Sequence, residues 1–129
     1  MPRPASSQPT EVELQILRIL WEQGPSTARQ VHNRLAQDRD TNYSTTVKML
    51  SVMLDKGLVK RDETVRPQVF RPADSQERTQ QRMLGDLIHK AFDGSAGSLV
   101  LQALSSQKAS PEELAEIRRL LNELEGGEQ

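Results

Sequence analysis

Residues 44–61 read STTVKMLSVMLDKGLVKR. Thr46, Met49, Leu50 and Met53 fall at i, i+3, i+4 and i+7, so they form one apolar stripe of a helix. Ser44 stands where a helix cap belongs, and Gly57 directly after Lys56 is a helix stop. LVKR (58–61) then begins a run of β-formers, DETVRP (62–67) is a polar turn, and QVFR (68–71) is a second run. Two such runs around a turn predict a small hairpin. Pro67 has no amide hydrogen to give to a ladder, so its strand is expected at a sheet edge.

Working upstream, TEVELQILRILW (10–21) carries a capping box, in which the Thr10 hydroxyl and the Glu13 carboxylate exchange hydrogen bonds with each other's backbone amide. Val12, Ile16, Ile19 and Leu20, widened by Leu17, give this first helix its buried face. Gly24-Pro25 ends it. Ser26 or Thr27 starts a second helix with Ala28, Val31 and Leu35 inward and Arg29, His32, Asn33 and Arg34 in water; it fades by Gln37. Three helices followed by a hairpin is the layout of a winged helix.

Downstream, Asp74 or Ser75 caps a helix to about Phe92, and DGSAG (93–97) breaks it. Leu99, Val100, Leu101, Ala103 and Leu104 form a short apolar helix. Ser110, Pro111 and Glu113 make a second capping box with proline at the first helical position. The helix behind it carries Leu114, Ile117, Leu121 and Leu124 in a heptad-like seam, with Leu120 beside it. The expected fold is therefore mainly α with a small β-hairpin: a winged helix-turn-helix followed by a C-terminal helical dimerisation region. The expected organisation is a disordered tail over 1–9, a winged-helix domain over 10–72 and a helical region over 73–125.

Composition bounds the function. Only 35% of the 129 residues are apolar and 3% aromatic, enough for one modest core. There is no cysteine, so disulfides, thiolate metal sites and a cysteine nucleophile are excluded. MPRPASSQPT (1–10) lacks the apolar segment of a signal peptide, and no apolar run is long enough to span a bilayer, so a cytoplasmic protein is expected. The net charge of −1 hides an asymmetry: residues 1–71 hold eleven Lys/Arg against eight Asp/Glu, residues 72–129 six against ten. A basic half beside an acidic half suits a DNA-binding end and an end with another task.

The third helix is where chemistry concentrates. Opposite its apolar stripe stand Ser44, Thr45, Lys48 and Ser51, with Val47 and Val52 at the edge. Short hydroxyls, one cation and small apolar groups fit a major groove, where Lys48 can reach phosphate or guanine and Val47 a thymine methyl. Lys60, Arg61, Arg66 and Arg71 on the hairpin suit phosphate contact beside it, and equally suit a charged edge that blocks strand pairing. His32 and His89 are read as helix-surface residues outside any metal-ligand spacing; neither cofactor nor metal is expected. The serines have no matched His/Asp arrangement, which argues against an enzyme. The apolar excess of Leu84, Leu87, Ile88, Phe92, Leu99, Val100, Leu101, Leu104, Leu114, Ile117, Leu121 and Leu124 points to pairing with a second copy.

The runs TEVELQILRILW (10–21), STTVKMLSVMLDKGLVKR (44–61), FDGSAGSLVLQAL (92–104) and LAEIRRLLNEL (114–124), in this order and spacing, resemble the BlaI/MecI-type penicillinase repressor family over roughly residues 8–125. The resemblance implies a winged-helix homodimer that represses genes from a palindromic operator. Its third helix would enter the major groove through Ser44, Thr45, Val47 and Lys48, its hairpin would serve as the wing, and its last three helices would interlock across the dimer axis. Antibiotic-responsive members are cut at an Asn-Phe bond after a run like Ser98-Leu99-Val100-Leu101, where this chain continues with Gln102-Ala103. Copper-responsive members carry paired C-terminal cysteines, and this chain has none. The expected partners are double-stranded operator DNA and a second copy, with any sensor or protease partner unspecified and no membrane. The alternative is a helical adaptor that uses its winged helix for protein–protein contact.

Overall fold

The Thr10 capping box forms as the sequence predicts: Glu13 N donates to Thr10 Oγ1 at 3.2 Å, and Thr10 N to Glu13 Oε1 at 2.9 Å. It starts α1 (Glu11–Gln23). The structure is a computed structural model and describes residues 8–127. The tail expected over 1–9 lies outside the described residues except for Gln8 and Pro9. The elements that follow α1 are β1 (Ser26–Thr27), α2 (Ala28–Leu35), α3 (Tyr43–Lys56), β2 (Val59–Asp62), β3 (Val69–Pro72), α4 (Gln76–Ala91), α5 (Ala96–Ser106) and α6 (Pro111–Gly126). The mainly α winged-helix fold with a small antiparallel sheet is thus the one expected.

Four readings are corrected. The sheet has three strands in the order β1-β3-β2, because Ser26 and Thr27 pair with Phe70 and Val69. The strand after Pro67 is therefore the central one and not an edge. Pro67 precedes β3 in the turn, where a missing amide hydrogen costs the ladder nothing. The cap of α3 is Asn42 and not Ser44: Asn42 is extended, and its Oδ1 accepts from Thr45 N at 2.9 Å. His32 is half-buried, not a free surface residue; its Nδ1 lies 2.9 Å from Thr46 Oγ1 and ties α2 to α3.

The core is made by Ile16, Leu17, Ile19 and Leu20 from α1, Val31 and Leu35 from α2, Leu50 and Met53 from α3, and Leu58, Val59 and Phe70 around the sheet. Gly57 closes α3 at φ 78°, a left-handed conformation open to glycine at little cost, and the chain turns there so that Leu58 N reaches Met53 O at 2.9 Å. Trp21 Nε1 donates to Asp74 O at 3.0 Å, and Thr79 is buried. The chain divides into two compact units between Met83 and Leu84, so the first half of α4 belongs with the winged helix. In the second unit Ser95 and Ser110 cap α5 and α6, the latter through the expected box with Glu113. No residue of α5 or α6 is buried. Among the described residues no helix is long and apolar enough to cross a membrane.

Candidate nucleic-acid interface

The stripe of α3 decides what its other face can offer. Thr46, Leu50 and Met53 are fully buried and Met49 partly so. By helical geometry Ser44, Thr45, Val47, Lys48, Ser51 and Val52 are then turned out, and all six are exposed. The Ser44 and Thr45 hydroxyls already donate to Asn42 Oδ1, at 2.8 and 2.9 Å. What they keep for a ligand is acceptor capacity, which suits the amino group of a base better than a phosphate oxygen. Asn42 thus builds the helix start and orients two surface hydroxyls. Asn42→Ala is expected to cost about 1 kcal/mol of stability, read from the midpoint of urea unfolding; an unchanged midpoint would mean that another residue can take over the cap.

The wing cations divide between the two faces of the hairpin. Arg61 pairs in register with Phe70, and Lys60 with Arg71. Partners in register point to the same side, and neighbours along a strand to opposite sides. Arg61 therefore shares the face of Phe70, and both line a groove of about 340 Å³ with Val47 and Ser51 of α3. Lys60 and Arg71 stand on the other face, where two like charges oppose each other. Arg66 is exposed in the turn, before Pro67. The turn is shaped by Asp62, whose Oδ1 accepts from Thr64 Oγ1 at 2.6 Å and Thr64 N at 2.9 Å. These hydrogen bonds hold the Asp62 carboxyl below its ordinary pKa. The structure brings Val47, Ser51 and Arg61 to one groove, and leaves Lys60 and Arg71 off it.

None of the apolar residues assigned to pairing is buried, and seven of the twelve are exposed. Leu101 is 70% exposed, Leu124 59% and Leu121 53%; Leu84, Leu87, Val100 and Leu104 are exposed as well. Ile88, Phe92, Leu99, Leu114 and Ile117 are half-buried. Among the described residues no group of His, Asp or Glu is arranged to hold a metal ion.

The penicillinase repressor family matches residues 9–123. The chain belongs to that family. It is 27% identical over 118 residues to the transcriptional regulator BlaI of Mycobacterium tuberculosis, covering 91% of this chain and 85% of the relative. It is 22% identical over 116 residues to the penicillinase repressor of Bacillus licheniformis, covering 90% and 91%. It is 20% identical over 113 residues to the methicillin resistance regulatory protein MecI of Staphylococcus aureus, covering 88% and 92%. These are regulators and not enzymes.

Within this family member, two side chains at the α3 surface escaped the sequence reading. The Arg29 guanidinium carbon lies 3.8 Å from the centre of the Tyr43 ring. The His32 ring meets the same tyrosine edge-on, 5.7 Å between centres. The sequence pattern leaves Arg29 on a wet helix face and Tyr43 in the polar stretch before the third helix, and no local pattern announces that Arg29 of α2 and Tyr43 of α3 meet.

Proposed function

We propose that the chain is a sequence-specific DNA-binding transcriptional repressor that acts in the cytoplasm as a homodimer on a palindromic operator. The observation that carries this reading is the exposed face of α3. Ser44, Thr45, Val47, Lys48 and Ser51 stand on it together, backed by a buried stripe and bordered by the wing. A rigid helix with short polar side chains and one unpaired cation is a major-groove reader. The regulator and repressor names of the relatives support the same reading. The DNA-binding unit is residues 10–72, buttressed by the start of α4 through Trp21 and Thr79; the pairing region is the remainder to residue 125. The dimer is supported by leucines that their own unit leaves open to water, since clustered exposed apolar side chains mark an interaction face. A protein-contact adaptor would need a continuous apolar patch, whereas the exposed Val47 and Val52 of α3 and Val65 of the wing are interspersed with exposed Lys48, Arg61 and, from α2, Arg29.

Lys48→Ala tests the assignment. If Lys48 meets phosphate, all DNA sequences should bind more weakly by a similar factor. The salt slope should fall by about one per contact, hence about two in a symmetric dimer. If it reads guanine, discrimination at one base pair should drop by roughly 1–3 kcal/mol. Titrations of a duplex from upstream of the protein's own gene at several salt concentrations separate these results. Unchanged affinity and slope would remove α3 from the DNA.

A further inference from the structure

We propose that Arg29, braced against the Tyr43 ring, is a DNA-phosphate contact that supplements the charge of α3 from the neighbouring helix. The inference rests on the reading of α3 as the DNA-facing helix. Only two cations lie in α3, Lys48 and Lys56, and Lys56 is tied to Glu13 at 2.7 Å. A helix with one free cation draws little of the electrostatic affinity that dominates DNA binding. Arg29 supplies the missing charge. It is exposed and in contact with the Tyr43 ring, and among the described residues it has no carboxylate partner. By contrast, Arg34 of the same helix pairs with Asp38 at 2.7 Å, and Arg39 donates to Gln15 at 2.9 Å.

The bracing runs back into the core. Thr46 is fully buried and lies 2.9 Å from His32 Nδ1; the His32 ring abuts Tyr43; Tyr43 carries Arg29. A cation resting on a ring face keeps its N–H groups for a third partner, and the planar fork of Arg matches a phosphate. Because Tyr43 already restricts the side chain, less rotamer freedom is lost when it binds. Its position also fits. Arg29 and Tyr43 border the same groove as Val47, Ser51 and Arg61. In helix-turn-helix proteins the helix before the recognition helix crosses the DNA backbone.

A phosphate contact is blind to sequence, so the test can use a random duplex of roughly 30 base pairs, enough for two half-sites, together with the upstream duplex. With the full-length protein, Arg29→Ala should make the slope of log affinity against log salt shallower by about two per dimer. Between about 50 and about 200 mM salt, the wild-type protein should then lose about tenfold more affinity than the variant. Arg29→Lys should keep the slope. Tyr43→Phe should bind as the wild type does, since the ring and not the hydroxyl braces Arg29. Tyr43→Leu should weaken binding several-fold, and Arg29→Ala should then cost less in that background than alone. Thermal unfolding checks that each variant folds; Arg29→Ala and Tyr43→Phe alter only exposed groups and carry the test if Tyr43→Leu does not fold. A slope unchanged in Arg29→Ala but reduced in Lys48→Ala overturns this inference and leaves the DNA reading standing. Affinity and slope unchanged in both variants, on the random and the upstream duplex alike, overturn the reading of α3 as the DNA-facing helix. Equal losses in Tyr43→Phe and Tyr43→Leu overturn the bracing role.

Discussion

A chain ended after Met83 is expected to stay folded and to bind its operator roughly 10²–10⁴-fold more weakly than the full chain. Every buried residue among those described lies at or before Thr79, and the division between the units falls after Met83. The fragment thus keeps the capped helices α1, α2 and α3, the sheet and the Trp21–Asp74 hydrogen bond. It loses the leucines of α4, α5 and α6 that remain exposed. A single winged helix with few free cations holds DNA weakly. Joining two copies makes the second contact intramolecular, which raises affinity without any new contact. Leu121→Asp in the full chain should act in the same direction, since a charge in a dry apolar seam costs several kcal/mol. Circular dichroism, sedimentation and titration on one operator duplex are the measurements. Full-strength binding by a folded, monomeric fragment would show that affinity does not come from pairing.

What could be read in advance depended on the range of the interaction. Two of the three capping boxes among the described residues, Thr10–Glu13 and Ser110–Glu113, were legible at once. The third, Thr27–Gln30 of α2, has the same spacing, yet the sequence reading marks only a helix start at Ser26 or Thr27. The stripe of α3 was legible too, and with it the exposed set on the opposite face. Strand β1 was not, because two residues have no periodicity and pair only with Phe70 and Val69, far along the chain. The choice between Asn42 and Ser44 as cap turns on backbone angles that two adjacent polar residues do not reveal. Pro67 misled because its missing amide hydrogen was carried over to the strand that follows it, whereas Pro67 stays in the turn and β3 starts at Val69 and is paired on both sides. Which wing cations share a face depends on register, since a slip of one residue reverses every side chain. His32, Arg29 and Tyr43 illustrate the same limit: side chains that reach across helices leave no mark on either helix's own pattern.

Glu13 shows how much a local reading can leave out, and it carries the second large effect. Its carboxylate completes the cap of α1, but it is also buried and receives Lys56 Nζ at 2.7 Å; Lys56 further donates to Gln8 O at 3.2 Å. Burial pushes the Glu13 pKa up. The hydrogen bond and charge of Lys56, helped by Thr10, outweigh it and hold the carboxyl below its ordinary value of 4.5. The folded state therefore binds this proton less tightly than the unfolded chain does. The stabilisation is complete above the unfolded pKa and is lost as pH falls through the folded one. Lys56→Met removes the cation and leaves an ion buried with too few partners, at an expected cost of about 3 kcal/mol near neutral pH; this is the low end for a buried pair, because Lys56 keeps some access to water. Without Lys56 only Thr10 opposes the effect of burial, so the Glu13 pKa should rise above its wild-type position and protonation relieves the variant. Its deficit against the wild type should shrink as the pH is lowered from about 7 to about 4, through the range where free carboxyls titrate. Glu13→Gln should cost less, because the lysine left behind can extend its amine into solvent. Urea unfolding of the three proteins at both pH values is the measurement. A Lys56→Met deficit that stays constant with pH would mean that packing of the lysine stem, and not its charge beside Glu13, is what α1 and α3 share.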